Sequence, residues 1–297
     1  VSQTVMTFPG KLGDALHQFP VAYWWARQTG KKFTVWMDEK TCAPLKPLFE
    51  AQPCVEGVEF KPGIAHYNCG GQPWHFDLPT SEYEGKNVYH LGFRSMPVRQ
   101  LTLETLESAK VPLDTITEDD LANTPCLEVE PADQVTILKD GAPLVITLGQ
   151  KRLCLLHGQA VYAHTKSTPG FWKFLAGVES YLTREFDEVI FIGNNRDREV
   201  ALRTYPHWSS YDDAGDFLSL ARLMVRASLV IGVGSSPIAL AGALKVPSVR
   251  VHDPIGENAK VIWSNLQPAH LNATEIELRK EWPAFRDRYL KSEVSVV

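Results

Sequence analysis

The chain has 297 residues, 44% apolar and 22% charged, with a net charge of −5 and a pI of about 6.0. That length suits two α/β domains with enough core to fold unstapled, and the acidic balance excludes a broad electrostatic grip on nucleic acid or membrane. Cys42, Cys54, Cys69, Cys126 and Cys154 form no Cys-x-x-Cys pair, so neither a disulfide framework nor a zinc site is read, and a reducing, cytoplasmic setting is expected.

The first segment, Thr4 to Phe8, reads as a strand. A Gly-rich turn, Pro9-Gly10-Lys11-Leu12-Gly13-Asp14, follows it, then helical apolar spacing from Ala15 to Gln28. Gly30 ends that helix. Lys32 to Met37 is the next strand, Pro44 to Gln52 a short helix, and Val58 to Phe60 a short strand. This β-α-β-α-β order implies a parallel sheet. Residues 61–135 are less regular and rich in aromatic and His residues, as expected of chain covering a sheet edge or lining a cleft. Within them Leu101 to Ser108 and Asp119 to Asn123 look helical. No signal peptide is read at the start of the chain.

The pattern restarts near residue 145. Strands are expected at Leu153 to His157, Glu188 to Gly193, Ser228 to Val233 and Ser248 to His252. Helices are expected from Gly170 to Glu185, from Arg198, from the cap at Asp216 to Arg226, and from Ser236 to Leu244. The uncharged run from Ala227 to Leu244 is long enough to span a membrane, but its Gly-Val-Gly-Ser-Ser-Pro centre reads as strand, turn and helix. No integral membrane segment is expected. A charged amphipathic helix closes the chain from about Thr274 to Leu290. Asp140-Gly141-Ala142-Pro143 is the best linker signal. The expected organisation is an N-terminal Rossmann-like domain over 1–142, a C-terminal one over 143–273, and a helix over 274–297 crossing back to the first domain. Two such domains facing each other make a cleft, with ligands at the carboxyl ends of the strands.

Four segments carry candidate chemistry. Gly10 to Asp14 places a carboxylate at a helix N-terminus, where it is stabilised in its ionised form and can take a proton from a hydroxyl; the plainer reading is an N-cap Asp. Gly232-Val233-Gly234-Ser235-Ser236-Pro237 offers backbone N–H groups and two hydroxyls at a helix start, a site suited to a diphosphate; the plainer reading is a tight turn that needs Gly for packing. Lys166, in the loop after His157-Gly158, can pair with a phosphate or simply be solvated. Gly193-Asn194-Asn195-Arg196-Asp197 can bind ribose or base, or be an ordinary Asn turn. His, Asp and Trp residues between 66 and 90 could line an acceptor pocket, and no metal-ligand spacing stands out.

Taken in order, these segments resemble the heptosyltransferase-like family, glycosyltransferase family 9. Gly10-Lys11-Leu12-Gly13-Asp14-Ala15-Leu16 is similar to the family's Gly-x-Gly-Asp turn and Leu-rich helix. Leu155-Leu156-His157-Gly158 leading to Lys166-Ser167-Thr168-Pro169 resembles the strand, loop and Lys that open its second domain. Phe191-Ile192-Gly193-Asn194-Asn195 matches its Gly-ended strand. Ser228-Leu229-Val230-Ile231, Gly234-Ser235-Ser236-Pro237 and Ala239-Leu240-Ala241-Gly242-Ala243-Leu244-Lys245-Val246-Pro247 resemble its most specific stretch. The likeness covers roughly residues 150–255 and is thin over 40–140. It implies a GT-B fold, a nucleotide-diphosphate-sugar donor, inversion at the anomeric carbon and no metal or other cofactor. It further implies Asp14 as base, Lys166, Ser235 and Ser236 on the diphosphate, Asn194, Asn195 or Asp197 near the nucleoside, and Gly13, Gly193 and Gly234 among the donor-binding residues. Gly234 stands where the family has Asp, and Ala239 where it has His; both replacements remove a polar side chain near the donor.

The function expected is therefore an inverting, metal-independent glycosyltransferase acting on a glycan or other hydroxyl-bearing acceptor, with a modified base in DNA as an alternative acceptor. One rival is a catalytically degenerate protein that binds a nucleotide sugar, motivated by Gly234 and Ala239. Another is an NAD-type oxidoreductase using Gly232-x-Gly234, with Asp253 after the next strand. Against it, a dinucleotide fingerprint normally opens its domain. The sequence leaves the sugar, the donor base, the acceptor and the oligomeric state open.

Overall fold

The computed structural model describes residues 2–62, 64, 80–91, 116, 117, 120, 123–158, 167–193, 195–212, 215–251, 270–273, 283, 284 and 287. The chain divides into two compact units. One is Val1–Val129 with Asp216–Leu218; the other is Glu130–Gly215 with Ser219–Val297.

The first unit is built on four parallel strands: β1 (Gln3–Phe8), β2 (Phe33–Met37), β3 (Val55–Phe60) and β4 (Lys86–His90), in the order β3-β2-β1-β4. β2 reads Phe-Thr-Val-Trp-Met and is buried along its whole length, as a parallel strand covered on both faces must be. β4 alternates instead between half-buried and exposed positions, which suits its place at the sheet edge. The helix α1 (Leu12–Thr29) follows β1 and buries Leu16, Phe19 and Ala26. Gly30 closes it at φ 65°, donating its N–H to the Ala26 carbonyl, the left-handed cap that glycine adopts without strain. Phe19 stacks on Phe49 at 4.7 Å between ring centres, and Phe8 lies 5.6 Å from Phe49. Phe49 belongs to α3 (Lys46–Glu50), which follows the short helix α2 (Glu39–Cys42) and one 3-10 turn at Ala43–Leu45.

The second unit carries eight strands in the order β12-β11-β10-β7-β8-β9-β5-β6. These are β5 (Gln134–Lys139), β6 (Ala142–Thr147), β7 (Leu153–His157), β8 (Glu188–Gly193), β9 (Ser209–Asp212), β10 (Ala227–Gly232), β11 (Ser248–Val251) and β12 (His270–Ala273). The strands from β12 to β9 run parallel, and the β5–β6 hairpin adds antiparallel at the β9 side. Helices α4 (Ser167–Glu185), α5 (Asn195–Thr204), α6 (Phe217–Met224) and α7 (Ser236–Leu244) alternate with the parallel strands. The run 227–244 thus resolves into β10, a turn and α7. Residues 237 to 244 of α7 are all buried, as an all-round apolar helix requires.

Several sequence expectations change. Asp140-Gly141 is the turn of the β5–β6 hairpin, at φ 52° and 78°, and not a linker. Two successive positive φ values define the hairpin turn that Asp-Gly favours, and the hairpin belongs to the second sheet. β4 and β9 were not anticipated: β4 lies in the stretch read as irregular, and β9 is the polar run Ser-Ser-Tyr-Asp. β5, β6 and β12 likewise fall where the sequence reading places no strand. Leu101 to Ser108, and most of the stretches 119–123 and 274–290, lie outside the described residues.

Candidate functional site

In each sheet, chain order reverses direction beside the first parallel strand. In the first unit β1 is flanked by β2 on one side and β4 on the other; in the second, β7 is flanked by β8 and β10. Such a switch point opens a crevice at the carboxyl ends of the strands.

At the end of β1, Gly10 adopts φ 104°, and a β-carbon there would lie 2.7 Å from Cβ and Oδ2 of Asp14. Only glycine lets the turn pass this close to the carboxylate. Asp14 occupies the third position of α1, and its Oδ2 accepts the Lys11 backbone N–H at 2.9 Å, part of a capping box. The sequence reading expects the helix start to keep Asp14 ionised. Burial acts the other way and is larger: it raises the carboxyl above its ordinary value, while the Lys11 N–H and ammonium lower it. Two neighbours fix the turn. Gln18 Nε2 donates to the Pro9 carbonyl at 2.9 Å, and Thr41 Oγ1 lies 3.0 Å from the Gly10 carbonyl and 2.9 Å from Asp38 Oδ2. Gly13 is the second residue of α1.

At the second switch point, His157 ends β7 and Gly232 ends β10, paired in register. The Val233 N–H donates to the His157 carbonyl at 3.1 Å. A β-carbon on Gly232 would lie 3.1 Å from that same carbonyl oxygen, so a side chain here would press on the close pairing of β7 and β10. Ser235 is the N-cap residue of α7, yet its hydroxyl makes no cap bond. It lies 2.9 Å from His157 Nδ1 and 3.1 Å from the Val233 carbonyl. Burial holds the His157 imidazole down at about 4, so the ring is neutral at physiological pH. Ser236 opens α7, with Pro237 in its first turn. The guanidinium of Arg250, on β11, lies against Gly234: a β-carbon there would be 2.9 Å from its Nε and Nη2. Arg250 is 8% exposed, and burial lowers its guanidinium to about 10.

Gly193 ends β8 at φ 128°. Asn195 and Asp197 fall in the first turn of α5. Asn194 and Lys166 lie outside the described residues. The structure therefore brings Gly234, Ser235 and Ser236 together at the start of α7, and Gly13 with Asp14 in the first turn of α1. Sequence reasoning missed Arg250, although a charged residue within the strand Ser248-Val249-Arg250-Val251 signals a buried cation. It also missed the Ser235–His157 contact and the ion pair of buried Arg198 with Asp212, 2.7 Å, beside the end of β8.

Among the described residues no three His, Cys, Asp or Glu side chains cluster as metal ligands, and no helix is long and apolar enough to cross a membrane. Cys42, Cys54, Cys126 and Cys154 are free thiols, and burial pushes Cys42 and Cys54 up to about 11.

No protein-family model matches the sequence, and no curated protein matches it. Solved structures do. A glycosyl transferase family 9 protein from Veillonella parvula is similar over 96% of this chain and 97% of its own, with TM-score 0.64 and 14% identity. E. coli heptosyltransferase WaaC with ADP is similar over 95% of this chain and 99% of its own, with TM-score 0.59 and 13% identity. E. coli ADP-heptose LPS heptosyltransferase II is similar over 95% and 98%, with TM-score 0.57 and 13% identity. At such identities the likeness is one of fold. The chain has the two Rossmann-like units of the GT-B architecture, and its structural relationship to the heptosyltransferases and family 9 glycosyltransferases follows the resemblance seen in its motifs.

Proposed function

We propose that the chain is an inverting glycosyltransferase that moves a sugar from a nucleotide-diphosphate sugar to an acceptor hydroxyl without a metal ion or other cofactor. The observation that carries this reading is the placement of its two Gly-rich turns, each beside the switch point of its own sheet in a GT-B fold. The first presents a carboxylate and the second presents a helix N-terminus with hydroxyls.

In this reading the Asp14 carboxylate takes the proton of the acceptor hydroxyl as that oxygen bonds to the anomeric carbon. The bond from that carbon to the diphosphate oxygen breaks on the opposite face. The products are the inverted glycoside and a nucleoside diphosphate. Burial of Asp14 makes it a stronger base than a solvated carboxylate. Lys166 and the turn at Gly234, Ser235 and Ser236 meet the negative charge that grows on the leaving diphosphate. Gly193, Asn194, Asn195 and Asp197 flank the nucleoside. The acceptor is a glycan or another hydroxyl compound; a modified base in DNA is the alternative, and salt-dependent DNA binding would identify it. The free thiols fit the reducing cytoplasm as the place of action.

The test is a thermal-shift screen against ADP, UDP, GDP, CDP, dTDP and NAD, followed by assay of sugar transfer from the matching donors. A ligand that binds only the folded chain raises its midpoint. A shift with one nucleoside diphosphate, reduced by Lys166→Ala or Ser236→Ala, supports the reading. A shift with NAD alone replaces it with an oxidoreductase. A second reading, a nucleotide-sugar-binding protein without transfer, is favoured by Gly234 and by the buried Ala239, neither of which offers a polar side chain. It predicts donor binding with no nucleoside diphosphate released for any acceptor.

A further inference from the structure

Among the described residues the exposed large apolar side chains are Leu144, Val145 and Tyr181, and the first two are neighbours on β6. β6 is also the last strand of the eight-stranded sheet, so one side of its backbone has no neighbouring strand. The hairpin fixes which groups face that side. In a two-residue hairpin the residues flanking the turn exchange both backbone bonds, and the exchange recurs at every second pair. Lys139 and Ala142 flank Asp140-Gly141, so Ala142, Leu144 and Ile146 bond inward to β5. Pro143, Val145 and Thr147 turn their backbone groups outward. The pairing of Leu138, which lies opposite Pro143, with Ser210 of β9 follows the same alternation. The outward edge thus offers the N–H groups of Val145 and Thr147 and the carbonyls of Pro143, Val145 and Thr147, while Pro143 has no N–H to offer. Among the described residues no hydrogen bond takes these groups.

Charge commonly guards a sheet edge against pairing with another chain. Both edges of the first sheet carry it: Glu56 and Glu59 on β3, and Lys86 on β4. β6 has none, and no charged residue lies from Gly141 to Gln150. We propose that β6 is a self-association edge, on which a second copy of this chain pairs its own β6 antiparallel about a two-fold axis at Val145. The outward groups set the register. The Val145 N–H of each copy donates to the Val145 carbonyl of the other, and the Thr147 N–H of each donates to the Pro143 carbonyl of the other. The missing proline N–H then leaves only the Thr147 carbonyls to water. The side chains agree with this register. Leu144 meets Ile146 of the other copy on the face where Ile146 is 8% exposed, and Val145 meets Val145 on the opposite face. The charges agree as well. Asp140 in the turn and Lys151 past the end of the strand flank β6 at opposite ends, so antiparallel pairing sets the Asp140 of each copy toward the Lys151 of the other. Such a contact is self-complementary, as a two-fold interface between copies must be. It is independent of the nucleotide-sugar reading.

The experiment is sedimentation velocity of the full chain from micromolar to submillimolar concentration. It is run on the natural chain, Val145→Lys, Val145→Glu and Thr147→Pro, each checked for a cooperative melt. Val145 is 60% exposed, so either charge is accommodated in the single copy. The natural chain is expected to show a reversible monomer–dimer equilibrium with a dissociation constant on the order of 10 µM, as suits a small contact. Val145→Lys and Val145→Glu each set like charges directly opposite and should weaken association by about tenfold or more. Mixing the two variants sets lysine opposite glutamate and should restore a one-to-one dimer, which follows only if Val145 faces its own counterpart. Thr147→Pro keeps the apolar side chains Leu144 and Val145 and removes an outward donor, so it should weaken association too. A natural chain that stays monomeric throughout would overturn the proposal. A dimer unchanged in both charged variants would place the contact elsewhere and overturn it. A mixture of the charged variants that stays monomeric would overturn the two-fold register at Val145. Unchanged association of Thr147→Pro would show apolar sticking in place of strand pairing, and would overturn it as well.

Discussion

Ser235 stands at the N-cap of α7, yet its hydroxyl lies 2.9 Å from Nδ1 of His157, at the end of the neighbouring strand β7. The contact ties the turn before α7 to the sheet, and the imidazole that makes it is buried and neutral. Burial lowers that imidazole from 6.5 to about 4. Between those values the unfolded chain takes up a proton that the folded chain does not. The His157 contribution is therefore complete above pH 6.5 and is lost as pH falls toward 4, on the order of 3 kcal/mol in all. Urea unfolding of the natural chain and of His157→Gln from pH 7.5 to 4.5 measures it. The natural chain should lose more stability across that range than the variant; parallel losses would show that His157 is not the group responsible.

Asp14 has the opposite sense. Its folded value is raised, so the protonated form is the one the fold favours. Stability from this group is present below the unfolded value of 3.8 and is lost as pH rises through the folded value. At neutral pH the ionised carboxylate is thus a burden on the fold. Asp14→Asn removes the charge and keeps an oxygen to accept the Lys11 N–H. The variant should melt at or above the natural midpoint at pH 7, while transfer falls by about 10²- to 10⁴-fold. In the natural chain, transfer should decline as pH drops through the raised Asp14 value. Melting curves and initial rates on the same preparations check both. A variant that loses activity only in proportion to its lost stability would remove Asp14 from the chemistry.

The sequence made the strands β7, β8 and β10 legible because parallel strands buried on both faces read as unbroken apolar runs. α7 was legible for a related reason: a Gly-rich turn, a Pro in the first turn and an apolar run leave few alternatives. β9 was hidden because its buried Ser209 is polar, and what makes burial acceptable is a hydrogen bond to Glu188, which in turn pairs with Lys139 of β5 at 3.1 Å. No local pattern announces a partner so far along the chain. Asp140-Gly141 is turn chemistry in either reading, and only the pairing of β5 with β6 makes it a hairpin. The turn carrying Ser235 is legible as a turn before a helix, whereas α1 starts at Leu12, so Asp14 falls in the first turn of the helix rather than ahead of it. The direction of the Asp14 shift was not legible, because dipole stabilisation is local and visible in sequence, whereas burial is a property of the packed unit.

Gly10 is where backbone and carboxylate meet most closely. A methyl group there would press to 2.7 Å on Asp14 Oδ2, at a φ of 104° that side chains rarely adopt. Gly10→Ala should cost about 1–3 kcal/mol through strain and displace the carboxylate, with transfer falling nearly as far as in Asp14→Asn. Gly85 is the control: its φ is 70°, but a β-carbon would meet nothing within 4 Å. Gly85→Ala should therefore destabilise the chain with little effect on rate per folded molecule. Equal activity in the two alanine variants at matched folded fraction would show that the Gly10 turn does not place Asp14.

Gln18 and Thr41 act on that same turn without touching the carboxylate. Gln18 Nε2 holds the Pro9 carbonyl at 2.9 Å from inside the core, and Thr41 Oγ1 lies 3.0 Å from the Gly10 carbonyl. Gln18→Leu keeps the volume and leaves a buried carbonyl short of a donor, which should cost about 1–3 kcal/mol. Thr41→Val keeps the shape and removes a hydroxyl shared between the Gly10 carbonyl and Asp38. Its stability cost should be about 1 kcal/mol. Because both residues belong to the first unit, neither variant should alter the affinity for a nucleoside diphosphate, while both should lower kcat by about tenfold through misplacement of the base. Titration with the diphosphate, run beside steady-state transfer kinetics, separates these effects. Loss of nucleotide affinity in either variant would mean that the donor is held by the turn after β1, and that the division of labour between the two units must be reversed.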